Sequence, residues 1–360
     1  MGFEIISPNT TFDFLKYRKL AYILSAVVIL LGIGSLIVQG GPKYGVDFAG
    51  GLTIQLKFDK EMDAGDIKSA LSPVGLEGLV VQRFGQSEDN EYLVRASGDG
   101  LDQNALQQRV EEALSKNIDN AKFEVQRMEM VGPKVGADLR SKAMEAIFYA
   151  VLFIAIYISG RFEQRWMAAG LMAGGLAGGL YILRLFGLPM GYLIFAALAL
   201  TIVLCFILRL KYALGAVVAD MHDIIITIGI FSLLGKEFDL TIVAALLTIL
   251  GYSLNDTIIV FDRIRENLRG TKSPEFGPVI NKSINQTLSR TILTSGTTML
   301  VLLCLFFFGG GVIHDFALAM IIGIVTGTYS SIFVASPILL DLGSGLTPRA
   351  TAENTEEATA

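Results

Sequence analysis

Eight apolar blocks divide this sequence, and most of them are about as long as a helix that crosses a membrane. Because about 20 apolar helical residues cross the hydrocarbon core of a bilayer, the pattern predicts a polytopic α-helical membrane protein. Only 18% of the residues are charged, whereas about a quarter are charged in an ordinary soluble domain. The blocks cover residues 20–38, 143–159, 166–185, 189–209, 213–234, 240–261, 291–308 and 313–341.

The first and last blocks each show a further feature. A cleavable signal peptide has a shorter apolar region than 20–38, so we interpret this block as an uncleaved first transmembrane helix. Gly323, Gly327 and Pro337 interrupt the block 313–341 and predict a kink or an early end. The two blocks within 166–209 are the weakest of the eight, since they also fit one re-entrant pair.

Basic residues outside the blocks predict the orientation of the chain. Lys16, Arg18 and Lys19 precede the first block, and the loops expected on that same side carry most of the other basic loop residues. By the positive-inside rule this side is the cytoplasm. We therefore expect a cytoplasmic N-terminal segment at 1–19 and a helix bundle at 143–341. A disordered cytoplasmic tail is expected at 342–360.

Residues 39–142 form one large polar segment, which this orientation places in the periplasm. Asp63 is a candidate cap for a first helix, and Leu106, Val110 and Leu114 share one face of a second. The order strand–helix–strand–strand–helix–strand predicts a small α+β domain of the ferredoxin-like type. The strand patterns are at 52–58, 79–83, 91–96 and 123–128, and the helix patterns are at 63–71 and 101–118.

Ionisable residues inside apolar blocks are costly in a bilayer and therefore point to function. Asp220, Asp223 and Thr227 share one helix face by their spacing, and Asp223 is expected near the membrane midplane. His222 is expected to point elsewhere. We interpret Asp223 as a proton carrier, with an interhelical hydrogen bond as the alternative.

Two further blocks carry polar stripes. Asp256 and its neighbour Asn255 are candidate relay or gating residues, and Arg263 is the nearest candidate counter-charge in the sequence. Three stripes turned inward would surround a hydrated path, although simple helix packing explains them as well. The third stripe begins with Thr291, Thr294 and Ser295.

Enzymatic and metal-dependent functions find no support in the sequence. Cys205 and Cys304 both lie in apolar blocks and are expected to pack there, and His222 and His314 lie far apart. No nucleophile–base constellation and no phosphate-binding loop is recognisable. We therefore expect no catalytic residues, no metal and no cofactor.

Several motifs, in order along nearly the whole chain, resemble those of the SecD/SecF family, and the later ones resemble its SecF members. The resemblance implies membership of the resistance-nodulation-division superfamily and a place in the bacterial inner membrane. It also implies that the proton-motive force assists protein export, with Asp223 as a family proton-pathway aspartate. The motifs are 44–51 (YGVDFAGG), 131–136 (VGPKVG), 161–163 (RFE), 222–223 (HD), 251–257 (GYSLNDT), 261–267 (FDRIREN) and 291–298 (TILTSGTT).

The partners that the resemblance implies are SecD, the SecYEG channel, an unfolded preprotein and YajC, in contact with lipid and without nucleic acid. Gly50, Gly51, Gly132 and Pro133 flank the polar domain and are candidate hinge residues, with a static junction as the alternative. The sequence departs from the family pattern at 164–208, where an apparent helical hairpin precedes the next core helix. A proton-coupled efflux transporter for small solutes and a passive scaffold or membrane chaperone are the alternative functions.

Overall fold

The computed structural model describes residues 10–84, 90–97, 103–118, 121–163, 166–185, 190–269 and 276–342. Most of the tail predicted at 342–360 therefore lies outside the described residues, as do residues 1–9. In chain order, the elements are α1 (Arg18–Val38), α2 (Val46–Ala49), β1 (Gly51–Phe58), α3 (Ala64–Leu71), β2 (Glu77–Phe84), β3 (Glu91–Ser97), α4 (Gln103–Asn117), β4 (Phe123–Val131), α5 (Pro133–Glu163), α6 (Trp166–Leu185), α7 (Met190–Ile207), α8 (Lys211–Leu233), α9 (Leu240–Arg269), α10 (Phe276–Phe308), α11 (Gly310–Ser330) and α12 (Ser336–Asp341).

The α+β domain has the predicted order of elements. Its antiparallel sheet has the strand order β2-β3-β1-β4, so the first strand pairs with the third and the fourth, as in a ferredoxin-like fold. Asp63 caps α3 by accepting a hydrogen bond from the Gly65 amide at 2.7 Å. The apolar face of α4 is buried as expected, with Leu106, Val110 and Leu114 at most 1% exposed. These helices cover one side of the sheet and close its core.

Among the described residues, six helical segments are long and apolar enough to cross a membrane. They comprise α1, α5, α8, α9, α10 and the continuous unit of α11 and α12. The prediction of a multi-pass membrane protein is confirmed. The blocks 166–185 and 189–209 form α6 and α7, which pack against each other, and their crossing of the membrane stays a prediction.

The junction between domain and bundle differs from the predicted boundary. Helix α5 begins at Pro133, ten residues before the expected apolar block, so the segment after β4 is helical rather than a linker. Gly50 and Gly51 have φ angles of +77° and +127°, which L side chains rarely adopt. A Cβ on Gly50 would also lie 2.8 Å from the Pro133 Cα, whereas one on Gly132 would meet nothing within 4 Å.

Helices α1 and α8 run parallel and touch closely. A Cβ on Gly32 would lie 2.6 Å from the Gly229 Cα, so the two backbones are in direct contact. Three residues further along both helices, the hydroxyl groups of Ser35 and Ser232 lie 2.8 Å apart. Small residues that let two backbones meet are a common helix interface in membranes.

The last long block does not break at its glycines. Gly323 and Gly327 lie against α9, since a Cβ on Gly327 would be 2.9 Å from the Ser253 Cβ. Instead the distortion is a single π-helical turn, Ser331–Ala335, placed just before α12 and its Pro337. Such turns are frequent at functional sites.

Candidate functional site

Asp223 lies at the centre of the bundle, and both of its carboxylate oxygens are hydrogen-bonded. Its side chain is fully buried. Ser253 of α9 and Ser330 of α11 donate to Oδ2 at 2.6 Å and 2.8 Å. On the other side, Oδ1 lies 2.9 Å from the Nδ1 atom of His222. One carboxyl group therefore joins three helices, and Ser330 directly precedes the π-helical turn.

The prediction that His222 points away from Asp223 is wrong. The imidazole is buried and contacts the carboxyl group of the next residue, while its Nε2 atom lies 2.9 Å from the Ser25 hydroxyl oxygen of α1. Consecutive Cβ atoms on a helix do point apart, but rotation about the side-chain bonds brings these two groups together. Helix spacing alone could not indicate this contact.

Helix α1 contributes Ser25 to the site. The Ser25 side chain lies next to Tyr329 of α11. The two hydroxyl oxygens lie 3.0 Å apart, and the Tyr329 hydroxyl donates to the Ala21 carbonyl at 2.7 Å. Sequence reasoning missed this contribution, because residues 20–38 contain no charged side chain that would draw attention to the block.

Asp220, one turn before Asp223 on α8, has a different environment. It is 1% exposed, and its Oδ2 atom has no hydrogen-bond partner among the described residues. A buried carboxylate oxygen without a partner is costly unless the group takes up a proton or meets water.

A third buried carboxyl group, Asp256, lies between α9 and α10. Ser295 donates to its Oδ2 atom at 3.3 Å, and Thr328 lies 2.9 Å from the same serine hydroxyl. The Oδ1 atom of Asp256 and the hydroxyl group of Thr291 have no hydrogen-bond partner among the described residues. The structure thus brings Asp256 and Ser295 together, as the polar stripes predicted.

Three predicted site residues lie outside these two clusters. Asn255 is exposed on α9, and Arg263 pairs with Glu266 at 2.9 Å. The Thr294 hydroxyl donates to backbone carbonyls of its own helix. The basic residue whose charge reaches Asp256 is Arg290 rather than Arg263.

The arrangement around Asp223 can bind and release a proton with mechanical consequences. An ionised carboxylate accepts stronger and shorter hydrogen bonds than a neutral carboxylic acid. Since the donors are on α9 and α11, the charge state of Asp223 sets how tightly these helices are held to α8.

Family models cover most of the chain. The model described as "Protein export membrane protein SecD/SecF, C-terminal" matches residues 110–179 and 188–345. The model described as "SecD/SecF GG Motif" matches residues 35–62, which include the glycines at the start of the α+β domain.

Curated relatives match over nearly their full length. The chain is 42% identical to the protein translocase subunit SecF of Magnetococcus marinus, over 98% of this chain and 99% of that protein. It is 40% identical to the SecF of Rhodothermus marinus, over 94% of this chain and 95% of that protein.

Solved structures agree with this assignment. The crystal structure of SecDF, a translocon-associated membrane protein from Thermus thermophilus, aligns with a TM-score of 0.68 and 29% identity. The alignment covers 93% of this chain and 39% of that one, so the chain corresponds to about two fifths of the SecDF chain. By its fold, its motifs and these relatives, the chain belongs to the SecD/SecF family of protein export membrane proteins.

Proposed function

We propose that this chain is the SecF-type subunit of a protein-export machinery and that proton binding at Asp223 drives its conformational change. The observation that carries the proposal is the carboxyl group of Asp223, buried and hydrogen-bonded to α8, α9 and α11 at once. A buried acid in a membrane is costly to keep without a role in ion or proton movement. We propose no enzymatic activity.

The partners follow from the relatives. The chain corresponds to the SecF part of a SecDF chain, so we propose a SecD-type subunit as its partner in the membrane. SecYEG, a preprotein in transit and YajC are the further partners we propose. We also propose the inner membrane as the location, with both termini in the cytoplasm and the α+β domain in the periplasm.

The α+β domain is the element that we propose to move. Gly50 and Pro133 are in contact at its base, where the chain enters β1 and leaves towards α5. Protons entering the cell release about 2.3 kcal/mol per 100 mV, enough to bias two conformations that differ by a few kcal/mol. Repacking of the bundle on protonation would tilt α5, whose first residue is Pro133.

Asp223→Asn tests the proposal, because asparagine keeps the shape of the side chain and cannot ionise. We expect the variant to lose the stimulation of preprotein export by the proton-motive force in vesicles that contain the SecD-type partner and the channel. Asp262→Asn is a matched control, since Asp262 lies on the end of α9 in an exposed pair with Arg161. Export with undiminished proton dependence in Asp223→Asn would refute the proposal.

A passive scaffold is the second candidate, because hydroxyl–carboxylate bonds between helices also stabilise a bundle. It requires that proton flux through the purified complex be the same in Asp223→Asn and in the unchanged protein. A small-solute efflux transporter is the third, and it requires solute flux without any preprotein.

A further inference from the structure

A chain of hydrogen-bonding side chains leads away from Asp223 towards the beginning of α1. The His222 imidazole bridges Asp223 and Ser25, with both contacts at 2.9 Å, and the Ser25 hydroxyl oxygen lies 3.0 Å from that of Tyr329. The rings of His222 and Tyr329 are also stacked, with centroids 5.9 Å apart and planes 20° from parallel. Every group in this chain can both give and take a proton.

The bond between Tyr329 and Ala21 determines which group is the donor in each of the other hydrogen bonds. Because the Tyr329 hydroxyl donates to the Ala21 carbonyl, its oxygen accepts from Ser25. The Ser25 oxygen then accepts from the Nε2–H of His222. When the imidazole is neutral and carries its proton on Nε2, its Nδ1 is bare, and the proton in the contact with Asp223 is then on the carboxyl group.

Loss of that proton exchanges the donor and acceptor roles in each hydrogen bond of the series. An ionised Asp223 needs a donor at Nδ1, so His222 takes the carboxyl proton there and gives its Nε2 proton to Ser25. Ser25 in turn gives its own proton to Tyr329. The Tyr329 hydroxyl then releases its original proton to water, so one O–H or N–H bond forms for each one that breaks.

The series of hydrogen-bonded side chains ends at a partly exposed group. Asp223, His222 and Ser25 are buried, whereas Tyr329 is partly exposed. Arg18, which pairs with the exposed Asp341 at 3.6 Å, is three residues before Ala21, or about 4.5 Å along the helix axis. The end of the chain is thus about one helical turn from charged groups at the bundle surface.

We propose that His222, Ser25 and Tyr329 form a proton relay between Asp223 and the end of the bundle at which α1 begins. The proposal rests on the proposed function of Asp223. Asp220 of α8, one helical turn before Asp223, is a further buried carboxyl group near the relay, and the ion pair of Arg18 and Asp341 lies near its outer end. The facing groups from α9 and α11 are the hydroxyls of Ser253 and Ser330, which donate to Asp223.

Tyr329→Phe and Ser25→Ala test the relay, since each removes one hydroxyl group and little volume. The measurement is proton entry into vesicles that contain the complex with the SecD-type partner, under an imposed pH difference. We expect each variant to slow proton entry by roughly a hundredfold, the usual scale for loss of a proton-transfer group. The infrared C=O band of protonated Asp223, identified by its absence in Asp223→Asn, should remain in both.

Matched controls make the same changes outside the relay. Tyr252→Phe removes a hydroxyl that donates to the Thr294 carbonyl at 2.9 Å. Ser35→Ala removes another α1 hydroxyl that is bonded to α8. Both controls should conduct protons at the rate of the unchanged protein. Their thermal unfolding temperatures show how much stability is lost when a hydroxyl group is removed.

The outcomes separate the relay from the function on which it rests. If Asp223→Asn blocks proton entry while Tyr329→Phe and Ser25→Ala conduct at the unchanged rate, the relay is overturned and the role of Asp223 stands. If Asp223→Asn itself conducts normally, both proposals fail. Should one relay variant unfold more readily than its matched control, the other relay variant decides.

Discussion

At the scale of single residues, Asp223 and Asp220 show how surroundings separate two identical side chains on one helix. Both are buried, but Asp223 has partners for both oxygens, while one oxygen of Asp220 has none among the described residues. The two groups lie one helical turn apart, so a proton gained by one changes the energy of the other. Asp223 is hydrogen-bonded through both oxygens, and two of its bonds come from other helices.

Gly50 is the backbone position with the strongest requirement for glycine. We expect Gly50→Ala to lower stability by about 1–3 kcal/mol, because the residue has a positive φ and lies against Pro133. Gly75→Ala is the matched control, with a φ of +75° and open space around it, and should cost less. Thermal unfolding of the detergent-solubilised variants measures both, and equal losses would contradict the close contact.

At the scale of elements, the backbone contact of Gly32 on α1 with Gly229 on α8 holds the proposed relay in register. The helices meet at three levels, whose separations along α1 equal those along α8, and the middle level is the backbone contact of two glycines. Parallel helices with a fixed register move as a unit. The three pairs are Ser25 with His222, Gly32 with Gly229, and Ser35 with Ser232.

Gly229→Ala should separate these helices. Its Cβ would lie 2.9 Å from the Gly32 Cα, and such overpacking costs about 1–3 kcal/mol. Gly34→Ala on the same α1 has no atom within 4 Å and should be neutral. Disulfide crosslinking between Ser35→Cys and Ser232→Cys reports the spacing, and crosslinking that is as fast in Gly229→Ala as in Gly34→Ala would contradict the expectation.

The first turn of α9 depends on two carboxyl groups from the domain side of the bundle. Asp239 accepts a hydrogen bond from the Ile242 amide at 2.9 Å, and Asp47 accepts one from the Leu240 amide at 3.0 Å. Burial raises the pKa of Asp239, and the charges of Asp47 and Asp315 add to this, while the bond from Ile242 opposes it. The turn is therefore sensitive to pH.

Because the pKa of Asp239 is raised on folding, its protonated form contributes stability that is fully present below its ordinary pKa. That contribution is lost as the pH rises through the folded-state value. We expect Asp239→Asn, which keeps an acceptor for the helix cap, to flatten the decline of the unfolding temperature with rising pH. Asp63→Asn, at the exposed cap of α3, should keep the decline unchanged. An unchanged slope in Asp239→Asn would argue against the role of its ionisation.

At the scale of the whole molecule, the loop between α8 and α9 connects the bundle to the α+β domain. Glu237 of this loop forms ion pairs with Arg95 on β3 and with Lys43, the latter at 3.1 Å. The Phe238 amide donates to the Lys43 carbonyl at 2.8 Å, and its carbonyl accepts from the Gly45 amide. Since α8 carries Asp223 and α9 carries a serine bonded to it, the loop directly connects the two helices of the proposed proton site to the domain.

Reversing the charges of Arg95 and Glu237 measures this connection. Arg95→Glu and Glu237→Arg should each loosen the domain, and the double reversal should restore it in part, with a coupling of about 1 kcal/mol for a partly buried pair. The rate of proteolysis in 39–45 provides the measurement. Lys57→Glu with Glu91→Lys, a pair within the sheet, is the control and should leave this rate unchanged. Additive effects of the two reversals would exclude a direct contact in solution.

Most of the fold could be predicted from the sequence because its signals are local. Alternation in strands, a helical period in α4 and the length of the apolar blocks are properties of neighbouring residues. The start of α5 was misplaced, since the polar first turns after Pro133 lack the apolar composition that marks the rest of that helix. Asp223 and Asp256 stood out for the same local reason, as charges within apolar blocks.

The amino-acid sequence by itself determined the α+β domain, the membrane-spanning character and the carboxyl groups within the apolar blocks, because each follows from composition and period. Only the tertiary structure decided which groups meet them. Ser25, Ser253 and Ser330 reach the Asp223–His222 pair from three other helices, and serine is too common in apolar helices to be recognised as a ligand there. Such contacts depend on the rotation and register of whole helices, which are set by close packing at positions such as Gly32 and Gly327.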